Sequence, residues 1–170
     1  MAILEILTYP NKFLRQPTKK VQNIDGDIQK IIDNMAETMF AVPGLGLAAI
    51  QVGIDKNIIV YSDSQDDDKK VYNVIINPQI ISSYGEIIHE NEGCLSVPDL
   101  RADVKRAKQV FVEGFDRDGK PINIEAEGLL SFIFQHEMDH LNGILFIDKI
   151  SPLKRELYKR RIKKLLKNEK

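Results

Sequence analysis

Apolar and polar residues alternate along this chain with two different periods, and the changes of period mark out its elements. Over residues 27–40, Ile28, Ile31, Ile32, Met35, Met39 and Phe40 recur at helical spacing, which predicts an amphipathic helix. The helix runs into VPGLGLAAIQVG, where Pro43, Gly44 and Gly46 break regularity and predict a loop able to approach a ligand closely. NIIVYS reads as a buried strand, and KKVYNVIINPQIIS as another with Pro78 as an interruption or bulge. Between them, DSQDDDKK is read as a solvated charged loop rather than a cation site. GEIIHENEGCLSVP looks extended and is expected to end at Pro98. QVFVEGFDRDGKPINIEA alternates around DRDGKP, a strong hairpin signal.

From about Glu127 to Leu141 the period becomes helical again. Leu129, Leu130, Phe132, Ile133 and Phe134 wrap nearly all round, so this helix is expected to be central and buried, with Gly143 capping its end. Ser151-Pro152 starts a last helix, whose stripe of Leu153, Leu157, Ile162, Leu165 and Leu166 is expected to pack on the body. The order predicts an α+β fold: antiparallel β-sheets around a central helix, plus a C-terminal helix.

Composition adds little to that outline, but charge adds something. The 170 residues, 43% hydrophobic, suit a single domain spanning 1–170, and no apolar run approaches the ~20 residues that cross a bilayer. The N-terminal residues lack the pattern of a secretory signal, and a single cysteine excludes an intramolecular disulfide, so a cytoplasmic location is expected. The net charge of −1 is unevenly spread. Residues 154–170 carry nine Lys/Arg against two Glu, a local net of +7 that leaves residues 1–153 at −8. The basic helix of residues 152–168 is therefore either a docking element for an acidic partner or a solvated helix end.

The candidate chemistry lies in QHEMDHLNG. His136 and His140, four apart, share one helix face and can grip one ion, with Glu137 beside them as an acid/base group. A third ligand is needed. In the longer protease pattern the next histidine position falls on Phe146, which binds no metal. Glu156, on the last helix, is possible in principle, and His89 lies in a polar extended stretch and is expected to be exposed or a surface hydrogen-bonding residue. Cys94, in EGCLS, is the best third ligand, because a thiolate with two imidazoles leaves a coordination position open for water. Ligand types alone point first to zinc.

GLGLAAIQ, EGCLS and QHEMDHLNG, in this order and with compatible spacing, resemble the three signature motifs of the bacterial-type peptide deformylases. The resemblance runs from the N-terminal helix to SPLKR, essentially the whole chain. It implies an α+β fold and a metal-dependent hydrolase that removes the formyl group from the N-terminal formylmethionine of nascent polypeptides, releasing formate. It implies one Fe2+ per chain, replaceable by Ni2+, Co2+ or Zn2+, held by Cys94, His136 and His140. By the same resemblance, Glu137 moves the proton between water and the leaving amine, while Gln51 and the backbone N–H of Leu95 hold the oxyanion. Leu45 and Gly93 are expected to bind the peptide main chain, Gly46 to let the loop come close, Arg101 to reach a carbonyl further along, and Phe132 to line the methionine pocket. The partners implied are N-formylmethionyl peptides and the ribosome near the nascent-chain exit, reached through the basic helix; no membrane association is expected, and the chain is expected to be a monomer.

Two features depart from the family pattern. Pro43 stiffens the loop before the first motif, and HENEGCLS is expected to carry an extra residue or bulge. The competing readings are an HExxH metallo-endopeptidase, which requires another third ligand, and a non-enzymatic ribosome-binding module.

Overall fold

The four residues Ile58–Tyr61 explain the architecture best. All four are buried, so this strand (β2) must be covered on both faces. Helix α1, Gly26–Ala41, covers one face: Ile28, Ile32, Met35 and Met39 pack on Ile58, Val60, Val74 and Ile76. Helix α2, Gly128–Leu141, covers the other, setting Ile133, Phe134, Met138 and Leu141 against Ile59, Tyr61, Ile75 and Val112. The split follows from the two-residue period of a strand, which sends Ile58 and Val60 one way and Ile59 and Tyr61 the other. This computed structural model describes residues 2–64 and 70–170, so most of the charged loop expected between the two strands lies outside the described residues.

The sheet between the helices has five antiparallel strands in the order β1-β2-β3-β6-β7, comprising Gly46–Ala48, Ile58–Tyr61, Asn73–Tyr84, Gln109–Phe115 and Pro121–Glu127. The break foreseen at Pro78 is a register shift between Ile76 and Gln79, with Asn77 at φ 53°. The predicted β6–β7 hairpin closes on Asp116, whose side chain accepts from the amides of Asp118 and Lys120.

Three expectations change. The glycine-rich segment is not all loop: Gly46–Ala48 pairs with β2 as an edge strand, and Ala49–Val52 follows as a 3-10 turn. The extended stretch does not end at Pro98. Strand β4, Ile87–Cys94, turns at Leu95–Ser96 and returns as β5, Val97–Arg106, through Pro98. The inward positions of β5 near its end are Ala102, Val104 and Arg106, too weak an apolar alternation to announce a strand. The β4–β5 hairpin packs on a third core with Leu14, Leu145, Phe146, Ile147 and Ile150.

Helix α3, Pro152–Asn168, starts where Ser151 accepts from the Lys154 amide, but it does not bury the expected stripe. Tyr158 is buried and Ile162 packs partly against the third core, whereas Leu153, Leu157, Leu165 and Leu166 are exposed.

Candidate active site and metal centre

Helix α2 lies under the cleft and presents His136, Glu137 and His140 over its last two turns. The helix stops there because Gly143, at φ 72°, donates its amide to the His140 carbonyl. The two imidazoles stand edge to face, with centroids 5.0 Å apart. Cys94, the last residue of β4, brings its Sγ to 3.2 Å from His140 Nε2. One donor atom from each of Cys94, His136 and His140 lies within 4.8 Å of the others. A thiolate with two imidazoles suits a divalent transition ion, and three protein donors leave a position open for water or substrate. Glu156 is not in this group; it faces Lys159 on α3. Phe146 is buried, with its ring 6.3 Å from that of His136.

A buried carboxylate that sequence reasoning passed over orders the centre. Glu92 on β4 accepts from His136 Nδ1 at 2.7 Å and from His89 Nδ1 at 2.8 Å. Arg106 donates to both of its oxygens, from Nη2 at 2.5 Å and Nε at 3.2 Å, and extends Nη1 to Asp139 on α2. With Nδ1 of His136 carrying its proton toward Glu92, Nε2 keeps the lone pair that an ion requires. Burial opposes the charge on Glu92, but the bonds from His136 and Arg106 outweigh it and hold the carboxyl well below its usual range. The histidines diverge: at His136 the bonds to Cys94 and Glu92 overcome burial and raise its affinity for a proton, whereas burial and the neighbouring His136 lower that of His140. The available signal was a Glu two positions before Cys94 and an inward Arg on a strand whose alternation was too faint to read.

Glu137 is 5% exposed, and its Oε2 has no hydrogen-bond partner; burial pushes its carboxyl up to about 7. A proton affinity near neutrality is what a group needs to take a proton and give it back. Gly46 lies directly against it, and a Cβ there would sit 2.8 Å from Glu137 Oε1. Gln51 is also buried, and its orientation is set by the chain: Oε1 accepts from the Ala48 amide at 2.9 Å. Its Nε2 is thereby turned toward Ser96 Oγ at 3.2 Å and Cys94 Sγ at 3.9 Å.

Above these groups opens a cleft of about 720 Å³. Of the site residues that the family resemblance assigned, all line it except His140, which lies beneath at 1% exposure. Leu45 and Gly46 line it from β1 and the loop before it, and Gly93, Cys94 and Leu95 from the end of β4 and the turn after it. Arg101 fits against the bare Cα of Gly93, where a Cβ would meet its guanidinium at 3.0 Å. Phe132 stacks on His89 with centroids 4.2 Å apart, so His89, hydrogen-bonded to Glu92 and partly exposed, belongs to the cleft wall.

The polypeptide deformylase family model matches residues 3–156. The peptide deformylase of Desulfosudis oleivorans is 51% identical over 167 residues, covering 98% of this chain and 96% of that protein. That of Thermodesulfovibrio yellowstonii is 53% identical over 163 residues, covering 96% and 98%. Among solved structures, a peptide deformylase from Legionella pneumophila superposes with a TM-score of 0.90 at 45% identity, covering 99% of this chain and 98% of that one. Peptide deformylase from Ehrlichia chaffeensis in complex with actinonin gives a TM-score of 0.88 at 38% identity, with 96% and 98% covered.

Proposed function

The chain belongs to the polypeptide deformylase family and removes the N-formyl group from nascent polypeptides, and from that premise we propose that the reaction runs in the cleft above Cys94, His136 and His140. The observation that carries this placement is the convergence of those three donors beside a buried, unpartnered Glu137 carboxylate oxygen. The family is metal-dependent, and we assign Fe2+ to this donor set, one ion per chain, with Ni2+, Co2+ or Zn2+ as substitutes. The ion, when bound, supplies Lewis acidity that activates water and polarises the formyl oxygen.

The remaining chemistry belongs to the chain. Glu137 takes a proton from the attacking water and returns it to the departing amine, a task suited to its near-neutral proton affinity. Gln51 Nε2 and the backbone N–H of Leu95 donate to the developing oxyanion, where one such donor is typically worth about 3 kcal/mol. Gln51 needs no reorganisation for this, since the Ala48 amide already holds its orientation. The backbones of Leu45 and Gly93 flank the formylmethionyl main chain in strand fashion. Phe132 meets the methionine side chain, and Arg101 reaches a carbonyl further along. The actinonin held by the Ehrlichia chaffeensis relative is expected to compete for this cleft.

Protein loaded anaerobically with Fe2+ or Ni2+ should release formate from formyl-Met-Ala-Ser. Glu137→Gln should keep its metal and lose about a thousandfold in turnover, while Cys94→Ala should lose its metal. No formate from the wild type, or a full metal complement in Cys94→Ala, would overturn the assignment. Cleavage of internal peptide bonds instead would favour the endopeptidase reading. We also propose that the basic α3 docks the enzyme, as a cytoplasmic monomer, on the ribosome near the nascent-chain exit.

A further inference from the structure

We propose that His89 is a specificity-determining and positioning residue, one ring that both shapes the side-chain pocket through Phe132 and steadies the ligand His136 through Glu92. The proposal rests on the deformylase reading of the cleft and concerns a residue to which that reading assigns nothing.

The backbone makes this double contact possible. In a regular strand, residues three apart point to opposite faces. His89 and Glu92 are three apart, yet both side chains meet on the α2 side, because β4 carries an extra residue between them. His89 pairs with Val104 and Glu92 with Ala102, so three steps on β4 match two on β5. Asn91 takes up the excess at φ 55°, and its amide is held by Asp103 Oδ1 at 3.0 Å. A bulge of this kind re-aims a side chain. Here it turns His89 from the outside of the hairpin into the cleft wall.

Two bonding relations then meet in one imidazole. Its Nδ1 donates to Glu92 Oε2 at 2.8 Å, and its ring lies on Phe132 at an interplanar angle of 19°. Glu92 Oε2 accepts from His89 and Arg106 Nε, and Oε1 accepts from His136 and Arg106 Nη2. These four donors fill the bonding capacity of the carboxylate. Glu92 is 3% exposed, so losing the His89 bond leaves a buried lone pair unmatched and frees the carboxylate to rotate about the bond that orients His136. Losing the ring instead frees Phe132 to swing, which relaxes the shape of the pocket.

The two roles are separable by substitution. His89→Asn keeps a donor at the place of Nδ1 but removes the stack. It should lower the preference for formyl-Met-Ala-Ser over formyl-Leu-Ala-Ser, read as a ratio of kcat/KM, about fivefold, with metal retention unchanged. His89→Phe keeps the stack but removes the donor. It should leave the preference intact and speed loss of Ni2+ to a chelator about tenfold. Both variants matching wild type in both readouts would overturn the proposal. So would both variants losing preference and metal together with a lowered Tm, which is the signature of a merely structural role. Wild-type protein that holds Ni2+ but releases no formate would sink the reading of the cleft itself, and the chelator comparison would still judge His89.

Discussion

Gly46 shows how little room the site allows a single residue. Its φ lies outside the left-handed region, so backbone freedom is not why glycine stands there. The reason is steric, because an added methyl would press on Glu137 Oε1, Glu137 Cγ and Ile133 Cγ2, all within 3.0 Å. Gly46→Ala is therefore expected to displace the Glu137 carboxylate while leaving the fold in place. Since displacing a reacting group by about 1 Å can cost on the order of 100-fold, formate release should fall by about that factor with little change in Tm; undiminished turnover would contradict the geometry. His136, Glu137 and His140 were legible from residue type and a four-residue spacing, and Cys94 as the chain's single thiol, whereas Gln51 and Gly46 were legible only through the resemblance of the motif that holds them. Glu92, Arg106 and His89 were not legible, because a Glu, an Arg and a His on polar strands look alike whether they face water or each other. Their roles come from a hairpin register and a bulge that bring them under α2.

At the scale of elements, period was a good guide where both faces or one whole face are buried. The α1 stripe, the all-apolar β2 and the β6–β7 hairpin follow the sequence closely. It misled at α3, where five apolar positions suggested a packed face, whereas the helix packs on the third core through Tyr158 and Ile162. Tyr158 is held at both ends, its hydroxyl donating to the Pro98 carbonyl at 3.0 Å and its ring 5.9 Å from that of Tyr9. Tyr158→Ala should thus cost about 3 kcal/mol of unfolding free energy, whereas Leu157→Ala next to it should stay within about 0.5 kcal/mol. Urea denaturation of the two variants checks this, and equal losses would mean that the exposed stripe is packed after all. Strand β5 was missed for the opposite reason: it owes its place to pairing with β4 and to the third core, not to its own pattern.

At the scale of the whole molecule, the acidic body and basic end remain separate. Arg161 reaches back to Asp99, but Lys163, Lys164 and Lys167, which follow the last packed residue Ile162, are exposed. Deleting the helix would remove Tyr158 with it and confuse docking with stability. Replacing Lys163, Lys164 and Lys167 by Glu is cleaner, since all three are exposed, and it takes the net charge of residues 154–170 from +7 to +1. If α3 docks on ribosomal phosphates, the triple variant should co-sediment less with ribosomes, the wild type should lose binding steeply as salt rises, and Tm should be unchanged. Equal co-sedimentation of the two proteins would return the charge to a solvated helix end.

What the sequence determined by itself is chemical and local: the candidate donors, the helical spacing of His136 and His140, the breaks at glycine and proline, and the periods that separate helix from strand. Those properties depend on residue type and near neighbours, so they survive without knowledge of the fold. Tertiary structure alone decided which polar residues are buried together, which way the bulge expected in HENEGCLS aims His89, and that α3 keeps most of its leucines in water. Each of those outcomes depends on register and packing between segments far apart in the chain, where one residue of slip reverses a side chain from core to solvent.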